Sequence, residues 1–200
     1  LMWSKDCTIS PQRFVKIVQY IAQKKDRELF TGFAQNDLPE FLSFILESFH
    51  NSLNSDVEVN IRGETKNEVD TLAIKCYNML KEIYEKEYSP LLDLFYGISV
   101  STIVNSKDKI LSVKPELYMM LDLPLPQVNN KSITLLDCFN MYCGQETLEG
   151  DNQWFNDKTG KKEDVKKSLL FWSLPNILIV CLKRFSNNNR KRNDLVDIPL

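Results

Sequence analysis

The chain of 200 residues has a single histidine, His50, and a lone imidazole cannot complete a catalytic pair by itself. Its five cysteines (Cys7, Cys76, Cys138, Cys143 and Cys181) are odd in number and scattered, with no Cys-x-x-Cys pair. That excludes a disulfide framework and zinc held by cysteine pairs, and it favours a reducing cytoplasmic or nuclear setting. No apolar run approaches the roughly 18 residues of a membrane span. Neither sign of charge dominates: 25 basic against 27 acidic residues leave a net charge of -2, with a pI near 5.6. A global pull towards nucleic acid or an anionic membrane is therefore not expected. G-x-S-x-G and P-loop signatures are missing, as is any internal repeat. The N-terminus lacks the charged start and apolar core of a signal peptide. Both ends break off abruptly, and the expectation is a piece of a longer chain.

What remains is ordinary globular composition, 43% hydrophobic and 26% charged, in a length that suits one domain or most of one. Ser10-Pro11 predicts a helix start, and Phe14, Ile17, Val18 and Ile21 recur at helical spacing to about Lys24. A second helix is expected from Asn36 or Asp37, because Pro39 fits only in a first turn. Its apolar face reads as Leu38, Phe41, Leu42, Ile45 and Phe49. Asp37 and Glu40 stand in that first turn, where acidic residues complement the helix dipole. Local structure alone thus accounts for them. Residues 54–66 read as an exposed loop. A third helix, about Glu68 to Lys86, buries Leu72, Cys76, Met79, Leu80 and Ile83.

From Leu91 onwards the residues become β-branched and aromatic and are broken by polar turns, as in strands. "LFYGISVSTIV", "KILSV", "ELYMMLDLPLP", "QETLEGDNQWF", "VKKSLLFWSLP" and "ILIVCLKRF" all read this way, the last as buried on both faces. "SITLLDCFNMY" predicts a short helix capped by Ser132. The fold class is α+β, helices first and an antiparallel sheet after. Structural readings also suffice for the remaining reactive side chains. Cys181 fills a strand, Cys7 lies in a polar loop, and His50 reads as a surface residue near a helix end. Arg190-Lys191-Arg192 reads as a solvated hairpin tip.

The order of segments carries more information than any one of them. A Trp near the start and a Pro-headed helix are followed by "F-x-G-F-A-Q-N-D-L-P-E-F-L", "LFYGISVSTI", "S-V-K-P-E-L-Y-M-M-L-D-L-P-L-P", "ITLLDCFNMY", "ETLEGDNQW", "LPNILIVCLKRF" and "VDIP". Over nearly the whole chain this succession resembles the central part of the catalytic domain of the ubiquitin-specific proteases, papain-like thiol hydrolases that remove ubiquitin. The resemblance implies a helical thumb (1–90), antiparallel fingers (91–165) and part of a palm sheet (166–200). It implies ubiquitin or ubiquitinated proteins as partners and no cofactor. By the same likeness, Asp37 and Glu40 border a channel for ubiquitin's arginine-bearing C-terminal tail, Gln35 supports the channel wall, and the ring of Phe185 lies against the tail. A carboxylate that meets arginine in a narrow groove forms a charge-assisted hydrogen bond.

The chain also departs from the family pattern. The family's nucleophilic Cys box precedes the region matched here and its His box follows it, so the 200 residues alone are not expected to hydrolyse anything. Where many members carry zinc-binding Cys-x-x-Cys pairs, this chain has Asn105 with Asp108 and Asn156 with Thr159, a poor donor set for zinc. Its fingers would rely instead on strand pairing and on Trp154 and Phe155. The function implied is a fragment of a deubiquitinating cysteine protease that binds the ubiquitin tail. The alternatives are a catalytically inactive ubiquitin-binding scaffold of the same fold and an unrelated α+β interaction domain.

Overall fold

The computed structural model describes residues 10–127, 132–185 and 190–199; Trp3 and Cys7 lie outside them. The helices are α1 (Gln12–Lys24), α2 (Leu38–Leu53), α3 (Glu68–Glu87), α4 (Pro90–Phe95) and α5 (Leu135–Cys143). The strands are β1 (Gly97–Val104), β2 (Ile110–Tyr118), β3 (Met120–Pro124), β4 (Ile133–Thr134), β5 (Glu146–Leu148), β6 (Trp154–Asn156), β7 (Lys161–Glu163), β8 (Val165–Ser173), β9 (Ile179–Lys183) and β10 (Val196–Asp197). The chain divides between Phe49 and His50 into two compact units.

In the first unit, Val18 and Ala22 of α1, Phe44 of α2 and Phe30 of the connection form a buried cluster, flanked by Ile21, Phe41 and Ile45. The Phe30 ring sits 4.9 Å from that of Phe44 and meets Phe41 edge-on at 5.5 Å. Truncating Phe44 to Ala at such a site costs about 3–5 kcal/mol. Two expectations are corrected here. Leu38 and Phe49 are 73% and 51% exposed, whereas Phe44, on which Phe30 docks, and Leu46 are buried. Ser10 does not cap α1; Pro11 occupies the cap position without a side-chain bond and accepts the Val15 N–H through its carbonyl at 3.0 Å.

The second unit begins its helices with α3, whose start is fixed by a reciprocal pair. Asn67 Oδ1 accepts the Asp70 N–H at 2.9 Å, and Asp70 Oδ2 accepts the Asn67 N–H at 3.2 Å. The strand expected from Leu91 is instead the short helix α4, which Pro90 opens at its first position. Both oxygens of Asp93 hold it against α3, accepting the Tyr84 hydroxyl at 2.9 Å and the Tyr88 hydroxyl. Asn176 donates to the Asp93 carbonyl at 3.0 Å, and Ile177 donates to that of Leu94 at 2.8 Å.

The main sheet is antiparallel, in the order β2-β1-β8-β5. Helix α3 covers one face, packing Leu72, Cys76, Met79 and Leu80 on Ile98, Val100, Val113, Leu117 and Trp172. Gly97 opens β1 opposite Tyr118; a Cβ there would lie 2.6 Å from both the Tyr118 ring and the Ser173 carbonyl, so no other residue fits. Beside this sheet, β3 pairs with β9 and β4 with β10, both in parallel. Each pair is joined by a long crossover, as parallel pairing demands. Leu121, Leu123, Leu125, Ile133 and Cys138 form the core beneath them. Strand β9 is half-buried rather than covered on both faces, and Cys181 within it is likewise half-buried. Helix α5 is capped by Thr134, not Ser132: Thr134 Oγ1 accepts the Asp137 N–H at 3.1 Å, and Asp137 Oδ2 accepts the Thr134 N–H at 2.9 Å.

Candidate functional site

Asp37 immediately precedes α2. Its Oδ1 accepts the main-chain N–H of Glu40 at 3.1 Å and its carbonyl accepts that of Phe41 at 3.0 Å, the geometry of an N-cap. Both Asp37 and Glu40 are nevertheless exposed, as is Gln35 in the irregular segment before them. Glu40 lines an open depression of about 320 Å³ with Asp26, Arg27, Glu28, Leu29 and Phe30. Three acidic residues and one arginine line it, and the Arg27 guanidinium reaches Glu47 at 3.8 Å, so the depression has an excess of negative charge that attracts cations. Capping therefore leaves the acidic turn accessible.

Phe185 lies two residues beyond β9 and is 68% exposed. It forms an isolated antiparallel bridge with Lys191. The reading of Arg190-Lys191-Arg192 as a solvated tip holds for the exposed Lys191 and fails for Arg192, whose guanidinium donates to the carbonyls of Leu125 and, at 3.0 Å, Pro126. Main-chain acceptors carry no residue identity, so sequence offers no signal for this contact.

His50 also departs from expectation. It is tucked in with a side chain 13% exposed; Nδ1 is 2.7 Å from Ser89 Oγ, and Nε2 is 3.8 Å from Glu87. Serine, imidazole and carboxylate thus stand in sequence, but Ser89 is 0% exposed and no substrate can reach it. The contact is packing. Burial also raises the pKa values of the Cys76, Cys138 and Cys143 thiols, which keeps them protonated and unreactive.

The zinc sites implied by the family likeness do not fit the residues present. Asn105 Oδ1 accepts the N–H groups of Lys107 and Lys109, both at 3.0 Å, and Asp108 pairs with Lys166 at 3.3 Å. Asn156 Oδ1 accepts the Lys158 N–H at 3.0 Å. Asn156 Nδ2 and Thr159 Oγ1 each donate to Glu163 Oε1 at 2.8 Å. Each asparagine oxygen is turned inward onto its own turn, where a thiolate would face a metal. Among the described residues, no group of three or more His, Cys, Asp or Glu could hold a metal ion. None of the described helices is long and apolar enough to cross a membrane.

Comparison with solved structures agrees with this α+β architecture. The SAGA DUB module of Ubp8, Sgf11, Sus1 and Sgf73 bound to monoubiquitin superposes with a TM-score of 0.60 at 22% identity, over 90% of this chain and 35% of that one. The same module bound to ubiquitin aldehyde gives 0.57 at 20% identity. The fold is that of a ubiquitin-specific protease catalytic domain. At the level of sequence, the family model "Ubiquitin carboxyl-terminal hydrolase" matches residues 1–200, and the chain belongs to that family of thiol-dependent hydrolases. It is 31% identical over 203 residues to ubiquitin carboxyl-terminal hydrolase 4 of Saccharomyces cerevisiae, covering 98% of this chain and 21% of the relative. It is 29% identical over 210 residues to ubiquitin carboxyl-terminal hydrolase 2 of Gallus gallus, covering 100% and 56%. The chain thus spans about a fifth to just over half of the length of these relatives.

Proposed function

We propose that this chain is the part of a deubiquitinating thiol protease that receives ubiquitin's C-terminal tail. In the full-length enzyme the bond after that tail is hydrolysed in a cytoplasmic or nuclear setting. Asp37 and Glu40 act as carboxylate partners for the tail's arginines, Gln35 supports them, and Phe185 offers an aromatic face. The observation that carries the reading is the open acidic turn: Asp37 caps α2 and still stays exposed, beside a depression where Glu40 joins Asp26 and Glu28. An arginine approaching there would gain charge-assisted hydrogen bonds at little cost in reorganisation. The hydrolytic step itself requires a thiolate and an imidazole base within reach of one carbonyl. Here His50 is committed to Ser89 and Glu87, so these residues serve binding rather than bond cleavage.

Titrating the 200-residue chain with ubiquitin and with ubiquitin lacking its C-terminal tail tests this reading. Intact ubiquitin should bind, and the truncated form should bind at least about tenfold more weakly, a difference of roughly 1.4 kcal/mol. Equal affinity for the two forms would rule out a tail-binding role.

A further inference from the structure

We propose that Arg184 and Arg192 are positioning residues that hold Phe185 in place for ubiquitin binding. The inference rests on the reading of Phe185 as a ubiquitin contact. Arg184 is stitched to Arg192 and Asp194. The Arg192 N–H donates to the Arg184 carbonyl at 2.6 Å, and Arg184 Nη1 donates back to the carbonyls of Arg192 at 3.3 Å and Asp194 at 2.7 Å. Arg192 then ties the stitched residues to the core. Its Nη1 and Nη2 donate to the carbonyls of Leu125 and Pro126, and its Nε donates to Asp194 Oδ2 at 2.9 Å. Leu125 is 5% exposed and belongs to the buried cluster under β3 and β9, so the tether ends on a fixed point.

Phe185 follows Arg184 directly and pairs with Lys191, directly before Arg192. It therefore adjoins the stitched residues while Phe185 itself remains 68% exposed. An exposed aromatic side chain on freely moving backbone loses freedom when a partner binds; one on a clamped backbone has lost that freedom already. The planar guanidinium of Arg192 serves three acceptors at once, which a lysine ammonium on a flexible stem does not reproduce. The clamp is thus a device for preorganisation.

The test has two arms on the 200-residue chain. In the first, NMR relaxation of 13C-labelled phenylalanine and hydrogen exchange of the Arg192 amide are compared in wild type, Arg192→Ala and Arg192→Lys. The Phe185 ring and that amide should be ordered and protected in wild type and should loosen in both variants. Unchanged order in Arg192→Ala overturns the inference, whatever happens to binding. In the second arm, ubiquitin affinity is measured for Phe185→Ala, Arg192→Ala and the double variant, well below each melting temperature. Each single change should weaken binding about three- to tenfold, and the double variant should be no weaker than Phe185→Ala within about twofold. Multiplying losses would show that Arg192 does not act through Phe185. Loss in Phe185→Ala with none in Arg192→Ala overturns the clamp alone. No loss in Phe185→Ala removes the reading of Phe185 as a contact, and with it the binding role proposed for Arg192.

Discussion

Asp37 accepts the amide hydrogen of Glu40 at 3.1 Å, so the first of the two acidic residues organises the backbone of the second. The relationship separates what charge and shape do at this turn. Asp37→Ala removes the cap and should destabilise the protein by about 1 kcal/mol. Asp37→Asn keeps an oxygen in the same place and should change stability by only about a few tenths of a kcal/mol. Chemical denaturation of the two variants checks this, and equal losses would show that Asp37 does more than cap.

The hydrogen bond of 2.7 Å between Ser89 and His50 ties the last turn of α2 to the junction of α3 and α4. With Ser89 at 0% exposure, Ser89→Ala leaves the imidazole nitrogen facing a methyl group instead of a hydroxyl. A loss of about 1–3 kcal/mol is expected. No change in the denaturation midpoint would mean that water replaces the hydroxyl.

At the two turn tips, the side-chain oxygens of Asn105 and Asn156 accept main-chain N–H groups and close the loops. Chelator should therefore leave the melting temperature unchanged, and protein grown with added zinc should retain much less than one equivalent by elemental analysis. Asn156→Ala removes one acceptor and one donor and should cost about 1–2 kcal/mol. A fall in melting temperature on chelation would contradict this account.

Tyrosines contribute to the loss of stability at alkaline pH. Burial, then the charge of Tyr142, pushes the Tyr118 phenol from 10.0 up to about 12. Burial and the bond to Asp93 raise Tyr84; for Tyr88 the bond to Asp93 dominates. A phenol held protonated in the folded state contributes stability that is complete below its unfolded value and is lost as pH rises through its folded value. Stability should thus fall between about pH 10 and 12. Tyr118→Phe should lose less over that range, measured by denaturation at pH 9.5 and 11.5 and by tyrosinate absorbance. An identical decline in the variant would assign it elsewhere.

What could be read beforehand follows from how local the determinants are. The starts of α2 and α3 are written in side chains within one turn: Asp37 with Pro39, and Asn67 with Asp70. Helix α4 is not legible in the sequence, because Leu91, Leu92, Leu94 and Phe95 serve a strand as well as a helix, and α4 is held by distant Tyr84 and Asn176. Leu38 and Phe49 fall on the apolar stripe of α2 but outside the area that Phe30 covers, a boundary set by tertiary contact. The acidic turn was legible through both its cap pattern and its place in the family's order of segments. Arg192 was not, because it bonds to carbonyls that any residue could supply.

The most direct test removes charge and leaves shape: Asp37→Asn combined with Glu40→Gln, with ubiquitin affinity and melting temperature measured side by side. Charge-assisted bonds to arginine are worth about 1.5–3 kcal/mol, so affinity should fall by roughly tenfold to a hundredfold while the melting temperature moves by no more than about 2 °C. Undiminished affinity in the double variant would contradict the account.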